Sequence, residues 1–386
     1  MIDYLGAFAD IPASERVLAE NMRALLDERL RPRLGDLYEA GEFPLDLVPE
    51  LAALGLFGAH VPGMATASAL AWGLALREVE RCDSGLRSFV SVQACLTMTA
   101  IAQWGSNEQK ARWLPSLLRG QVIGSFSLTE PDHGSDPSAL ATVAERTGDG
   151  WILRGHKRWA SNSPIAGLVV IWAQTEPGAG SRGIRGFLVP LPWPGVEVRP
   201  LHRKLSLRMS PSGEIFLRDV RLPPDAILPE ARGLGAALAC LNEARYSIAW
   251  GVVGVAEECL DLALARVKSR QQFGRELGRF QLVQERLAAM LDDVTRAQLV
   301  ARRLADLKDA GMLRHQQVSF AKRHNVAGAQ RVAATARALF GAEGILVDNV
   351  VMRHMANLES VATYEGTDEI HTLVLGADLT GFDAFR

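Results

Sequence analysis

The residues best equipped for chemistry lie near the C-terminus, in Thr363-Tyr364-Glu365-Gly366-Thr367-Asp368-Glu369-Ile370. Glu365 stands between an aromatic ring and a glycine, with Val361 and Ala362 adding apolar surface. Such surroundings push a carboxylate's pKa up, toward the range in which it serves as a general base near neutrality. Gly366 permits close backbone approach to a ligand. Thr367 is placed to cap a helix whose apolar residues recur at Ile370, Leu373, Val374 and Ala377. A second group, residues 127–137, holds Thr129, Gly134 and Ser135 in a Gly/Ser-rich turn. Its hydroxyls and backbone N–H groups suit a pyrophosphate and the polar edge of a heterocycle. Trp159 and Ser161 are two apart, so strand alternation predicts both side chains on one face. Arg87 and Ser91, four apart, share a face of a predicted helix. Taken singly, each has a plainer reading as a helix cap, a surface loop or a solvated edge.

Three textures of sequence carry these groups. Residues 1–120 read as a helical domain, with one apolar stripe at Leu18, Met22, Leu25, Leu26 and Leu30 and another over 66–80. Breaks are predicted at 32–43 and at Pro62-Gly63, and Ser84 is a candidate cap for a helix over 86–104. Residues 121–230 read as a β domain of short β-rich segments (150–154, 168–172, 186–189, 214–217) between Gly, Pro, Asp and Arg turns. Residues 231–386 read as a helix bundle, with long amphipathic segments over 234–268, 281–310 and 316–339 and a further helix after Glu365. The fold class expected is mainly α with a β domain.

Composition narrows the function. The 386 residues are 48% hydrophobic with a net charge of −2, long enough for two or three domains and without the charge bias of a nucleic-acid binder. Charges interrupt the apolar runs, so no membrane span is expected. The start, Met1-Ile2-Asp3-Tyr4, has neither a basic nor an apolar leader region, and no secretory signal is expected. Cys82, Cys95, Cys240 and Cys259 lie far apart without metal-type pairing, which fits small core hydrophobes in a reduced, cytoplasmic setting and no metal site.

In order along the chain stand Leu-Thr-Glu-Pro-x-x-Gly-Ser-Asp (128–136), Trp-x-Ser-Asn (159–162), Arg-x-Gln-Phe-Gly (270–274) and Tyr-Glu-Gly-Thr (364–367). This series resembles the acyl-CoA dehydrogenase family from about residue 15 to 385. Within it the similarity is greatest to the glutaryl-CoA type, through Arg87-Ser88, Ser91-Val92-Gln93, residues 241–251, Ile184-Arg185-Gly186-Phe187 and residues 363–371.

The resemblance implies an N-terminal helical domain, a middle β-barrel and a C-terminal four-helix bundle. FAD would lie between barrel and bundle, in a homotetramer built as a dimer of dimers, with an electron-transfer flavoprotein as electron acceptor. Glu365 matches the family's base. Phe126, Leu128, Thr129, Gly134 and Ser135 match flavin-binding positions, as do Trp159 and Ser161. Arg270, Phe273, Gln281, Phe340 and Gly341 would reach the FAD of a neighbour, and Thr367 and Glu369 would close over the cofactor. Leu241, Asn242 and Arg245 match positions on the CoA portion, and Ser135, Gly366 and Phe385 further substrate contacts. Glu80, Arg87, Ser88, Ser91 and Tyr364 match the wall that receives a distal carboxylate, which implies glutaryl-CoA as substrate. Some members carry their base just before the arginine of this helix. Here that residue is Ala244, which leaves Glu365 as the candidate.

The chain also departs from the family pattern. Ser161 replaces a usual Thr, and Gly341-Ala342-Glu343-Gly344 replaces Gly-Gly-Asn-Gly, bringing a methyl and a negative charge toward the FAD region. Leu86 replaces an aromatic, Thr99-Ala100 differs, and the loop 62–66 has less glycine than usual. Two alternatives therefore stand beside the main reading: a dehydrogenase or oxidase of another short acyl thioester, and a non-catalytic scaffold of the same fold.

Overall fold

The computed structural model describes residues 2–385; Met1 and Arg386 lie outside the described residues. Helices occupy the first third: α1 (Ala13–Arg29), α2 (Leu34–Ala40), α3 (Val48–Ala53), α4 (Ala69–Cys82), α5 (Ser84–Val90), α6 (Thr99–Trp104) and α7 (Asn107–Leu118). The predicted stripe on α1 is real, with Met22, Leu26 and Leu30 buried. The predicted break at 32–43 contains α2, which Gly41 ends in a left-handed conformation. Asp83, not Ser84, caps α5, its Oδ1 accepting from the N–H groups of Gly85 and Leu86.

Between α5 and α6 the helix continues without a break as a π-helix over Ser91–Met98. The Thr99 N–H reaches back five residues to the Ala94 carbonyl. Ser84–Trp104 is long and apolar enough to cross a membrane. This corrects the expectation that charges interrupt every apolar run, because Arg87 is its single charge. The segment is 94% buried in the fold, as a core helix must be.

The middle of the chain forms a curled sheet of seven strands: β1 (Gly124–Ser127), β2 (Val143–Thr147), β3 (Gly150–Ser161), β4 (Leu168–Gln174), β5 (Ile184–Pro190), β6 (Val196–Pro200) and β7 (Ser212–Leu222). Their order is β1-β4-β2-β3-β7-β6, with β5 on β4. Strand β1 runs parallel to β4, whereas β3 and β7 are antiparallel with a register shift between Lys157 and Ala160. Trp159, at φ +60°, sits in that irregularity. Simple alternation therefore does not govern the two side chains, and the predicted shared face of Trp159 and Ser161 loses its basis.

The bundle follows with α8 (Leu234–Ser269), α9 (Gln281–Asp309), α10 (His315–Phe340), α11 (Val350–Thr363) and α12 (Asp368–Thr380). A short hairpin, β8 (Gln271–Gln272) with β9 (Arg275–Glu276), links α8 to α9. Every residue of α8 from Tyr246 to Leu260 is buried. A helix buried all round belongs at the centre of a bundle, and it brings the N-terminal helices, the sheet and the C-terminal turn around one axis. The four cysteines are free and buried.

Candidate active site

Glu365 occupies the turn between α11 and α12 at φ +54°, a left-handed conformation that L-residues avoid. Gly366 follows at φ +97°, and a Cβ on it would lie 2.8 Å from His371 Nε2. Glycine is thus demanded by the fold here and not only by ligand approach. Thr367 caps α12, its Oγ1 accepting from the Ile370 N–H at 3.3 Å.

Two cations hold this turn by its backbone. Arg245 on α8 donates from Nε to the Glu365 carbonyl at 2.8 Å and from Nη1 to Asn242 Oδ1 at 3.1 Å. Lys322 on α10 donates from Nζ to the carbonyls of Tyr364, at 2.8 Å, and Gly366. The carboxylate itself is left alone: Glu365 Oε2 is buried without a hydrogen-bond partner. Burial pushes its pKa up, while Arg87, Lys322 and Arg245 pull in the other direction. That is the balance expected of a base that must hold a proton weakly.

Arg87, on α5, is wholly buried. Its Nε donates to Glu80 Oε2 at 2.7 Å, and its Nη2 donates to the Tyr364 hydroxyl. The guanidinium carbon lies 5.6 Å from the centre of the Tyr364 ring. Burial works against its charge, but Glu80, Tyr364 and Glu365 more than offset this and hold it protonated. Nη1 remains buried and unpartnered. A free guanidinium arm in such a place fits an anionic group from a ligand. Ser91, one turn on, contacts Ser247 on α8 (Oγ to Oγ 3.2 Å), and Ser88 is buried beside it on α5.

A second region assembles on the sheet. The Arg158 N–H donates to the Thr129 carbonyl at 3.0 Å, and Ser125 Oγ donates to the Ser161 carbonyl at 2.7 Å. Residues 126–135 and the Trp159–Ser161 end of β3 therefore lie together. Lys157 Nζ, bonded to the Leu128 carbonyl and to Glu130 Oε1, fastens them from below. Phe126 and Leu128 are buried, whereas Gly134 and Ser135 are exposed and a Cβ on Gly134 would meet nothing within 4 Å. Trp159 is 56% exposed. An uncovered indole beside an open polar loop fits a planar heterocycle with a polar edge and a phosphate tail.

Other candidate residues lie apart in this chain. Arg270, Phe273 and Gln281 are exposed at the far end of α8, about 37 Å along the helix from Arg245. Phe340 and Gly341 close α10, about 27 Å from Lys322. Glu369 is exposed on α12, Phe385 is exposed in the tail beyond it, and Leu241 is half-buried on α8. Lys322 was absent from the sequence-based candidates. Its signal was a charge at the centre of the apolar stripe Val318, Ala321, Val326 and Ala329 on α10.

Residues 12–121 match the acyl-CoA dehydrogenase N-terminal domain, 125–220 its middle domain and 231–380 its C-terminal domain. The chain belongs to the acyl-CoA dehydrogenase family. It is 32% identical over 375 residues to the short-chain specific acyl-CoA dehydrogenase, mitochondrial, of Bos taurus, covering 96% of this chain and 91% of that one. The crystal structure of a glutaryl-CoA dehydrogenase from Mycobacterium smegmatis superposes with a TM-score of 0.95 at 48% identity, covering 98% of this chain and 97% of that one. A glutaryl-CoA dehydrogenase structure from the same organism, in complex with FADH2, gives 0.94 at 45% identity with 97% of each chain covered. As an acyl-CoA dehydrogenase, the chain keeps its base on a strained turn and its buried arginine beside it.

Proposed function

We propose that the protein is an FAD-dependent acyl-CoA dehydrogenase that oxidises a short dicarboxylyl-CoA, with glutaryl-CoA as substrate and crotonyl-CoA and CO2 as products. One observation carries the substrate: Arg87 is wholly buried, bound on one side by Glu80 and Tyr364, with Nη1 left free next to the unpartnered carboxylate of Glu365. A monocarboxylic acyl chain has nothing to offer that guanidinium arm, whereas a distal carboxylate would satisfy it.

The chain's own groups then divide the work. Thr129, Ser135, Trp159 and Ser161 hold the flavin, which when bound accepts the β-hydride at N5. Glu365 takes the α-proton, and its backbone N–H donates to the thioester oxygen where enolate charge develops. Arg87 and Tyr364 fix the far end so that the α-carbon meets the carboxylate. After oxidation the distal carboxylate leaves as CO2 and the protonated Glu365 returns its proton to the dienolate. Residues exposed at the ends of α8 and α10, among them Arg270, Phe273 and Gly341, reach the FAD of another copy in a homotetramer. An electron-transfer flavoprotein takes the electrons onward.

The test is the visible spectrum of the purified protein. A yellow protein bleached by glutaryl-CoA and only weakly by butyryl-CoA supports the reading. Bleaching by butyryl-CoA in preference makes it a dehydrogenase of another chain, rapid oxygen consumption by the reduced protein makes it an oxidase, and failure to take up FAD leaves a scaffold.

A further inference from the structure

Lys322 is 1% exposed, yet it carries an ammonium group into the centre of α10's apolar face. Its three N–H donors converge on the turn before and after the base. The contacts are the Tyr364 carbonyl at 2.8 Å, the Gly366 carbonyl, and, at the long limit of 3.5 Å, the Ala362 carbonyl. With Arg245 on the Glu365 carbonyl, three successive carbonyls are fixed by two cations. Meanwhile the Glu365 side chain is free of hydrogen bonds at Oε2.

The Tyr364 carbonyl has a further consequence. It belongs to the same peptide unit as the Glu365 N–H, and that N–H meets no acceptor among the described residues. A cation bonded to the oxygen of a peptide strengthens the donor at its nitrogen, because the two polarise together. We propose that Lys322 is a positioning residue for proton transfer: its ammonium fixes the strained turn that bears Glu365 and polarises the Tyr364–Glu365 peptide toward the thioester oxygen. This rests on the function proposed above and adds a residue to it. In the step concerned, the α-C–H bond breaks, the proton passes to the Glu365 carboxylate and the electron pair moves to the thioester oxygen. The Glu365 N–H stabilises that oxygen in proportion to its polarisation.

The charges that face the site from each element are few. Lys322 meets Glu365 in the turn, Arg245 on α8, Arg87 on α5, and Asp368 and His371 on α12. Glu365 meets Arg87, Lys322 and Arg245, with Glu80 on α4 opposing them, and Tyr364 and Cys95 alongside. His371 stays neutral, lowered to about 3 by burial and by Lys322 and Arg245. Burial draws Lys322 down to about 7 while Glu365 draws it up, so each of the pair favours the charged form of the other.

The experiment reads proton transfer without redox turnover. The holoenzyme is incubated in D2O with 3-thiaglutaryl-CoA, whose sulfur at the β-position prevents hydride loss, and deuterium entry at the α-carbon is followed by mass spectrometry against pH. Lys322→Met should retain flavin, exchange roughly 10- to 100-fold more slowly, the scale of a misplaced catalytic group, and move the acid limb of the profile upward, because Glu365 loses a cation that favoured its ionised form. Lys322→Arg keeps the charge but not the point-like donor, so exchange should fall while the acid limb stays.

A lysine with a merely structural role would change melting or flavin retention and leave both limbs in place. If Lys322→Met cannot be folded, Lys322→Arg decides alone, and wild-type exchange in it overturns the inference. Exchange lost in Glu365→Gln but retained in Lys322→Met overturns this inference and leaves the function standing. Exchange that survives in Glu365→Gln overturns both.

Discussion

Gly251 packs so closely on Glu80 that a Cβ added to it would lie 1.9 Å from Glu80 Oε2. The same oxygen accepts the hydrogen bond from Arg87 Nε. A missing side chain on α8 thus sets how deeply the carboxylate on α4 can sit, and through it the direction of the guanidinium.

Gly251→Ala should therefore act against its propensity. In a helix interior this change normally stabilises by about 0.5–1 kcal/mol. Here overpacking should cost ~1–3 kcal/mol, and the displaced Glu80 should weaken activity on glutaryl-CoA more than on butyryl-CoA. Thermal melting and the ratio of kcat/KM for the two thioesters check both parts.

Glu365→Gln should lower the rate of flavin reduction ~10²–10⁴-fold, the usual contribution of a general base, with thioester binding retained. Stopped-flow spectra under anaerobic conditions give the rate.

The same substitution should make the thioester-free protein more stable. The folded-state pKa of Glu365 is raised, so the folded chain holds its proton more tightly than the unfolded one. Wild-type stability then falls as pH rises from the ordinary carboxylate value through the raised one. Gln has no proton to lose, and the gap between the two proteins should open over that window and stay open above it. Melting temperatures at a series of pH values measure it; a variant that melts lower at neutral pH would contradict the unpartnered state of Oε2.

Arg87→Ala removes one member of a buried pair, a change that typically costs ~2–5 kcal/mol, or very roughly 30- to several-thousand-fold in affinity. The loss should fall on glutaryl-CoA and spare butyryl-CoA. Equal loss on both would make Arg87 a support for Tyr364 rather than a selector of substrate.

Much of the fold was readable because long amphipathic helices and β-rich segments announce themselves. The stripe on α1, the three long bundle helices and the cap at Thr367 follow from spacing alone. Strands β1, β2 and β6, of four or five residues, and helix α7 carry too little pattern to register. The site was legible where chemistry and motif coincide, at Glu365, Thr129 and Arg87. It was not legible where a residue acts through the backbone. Lys322 makes no bond to any side chain of the site, and only the folded turn of 362–366 shows what it holds. The Glu80–Arg87 pair was similarly hidden, because Asp83 ends α4 in extended backbone and breaks the helical phase between them.

The π-wound stretch Ser91–Met98 amounts to one surplus residue lodged in a long helix, and its length is therefore a trait in its own right. On one flank Arg87 engages Glu80 and Tyr364. On the other, Gln93 bonds the carbonyls of Leu117 and Val122 and the N–H of Gly124, tying the helix to the sheet. Deleting a single residue between them would let ordinary α-winding return but rotate one flank against the other by about 100°. Both sets of contacts could not survive. Among proteins of this fold, an indel here would re-aim a pocket wall in one step, whereas point substitutions would have to rebuild it residue by residue.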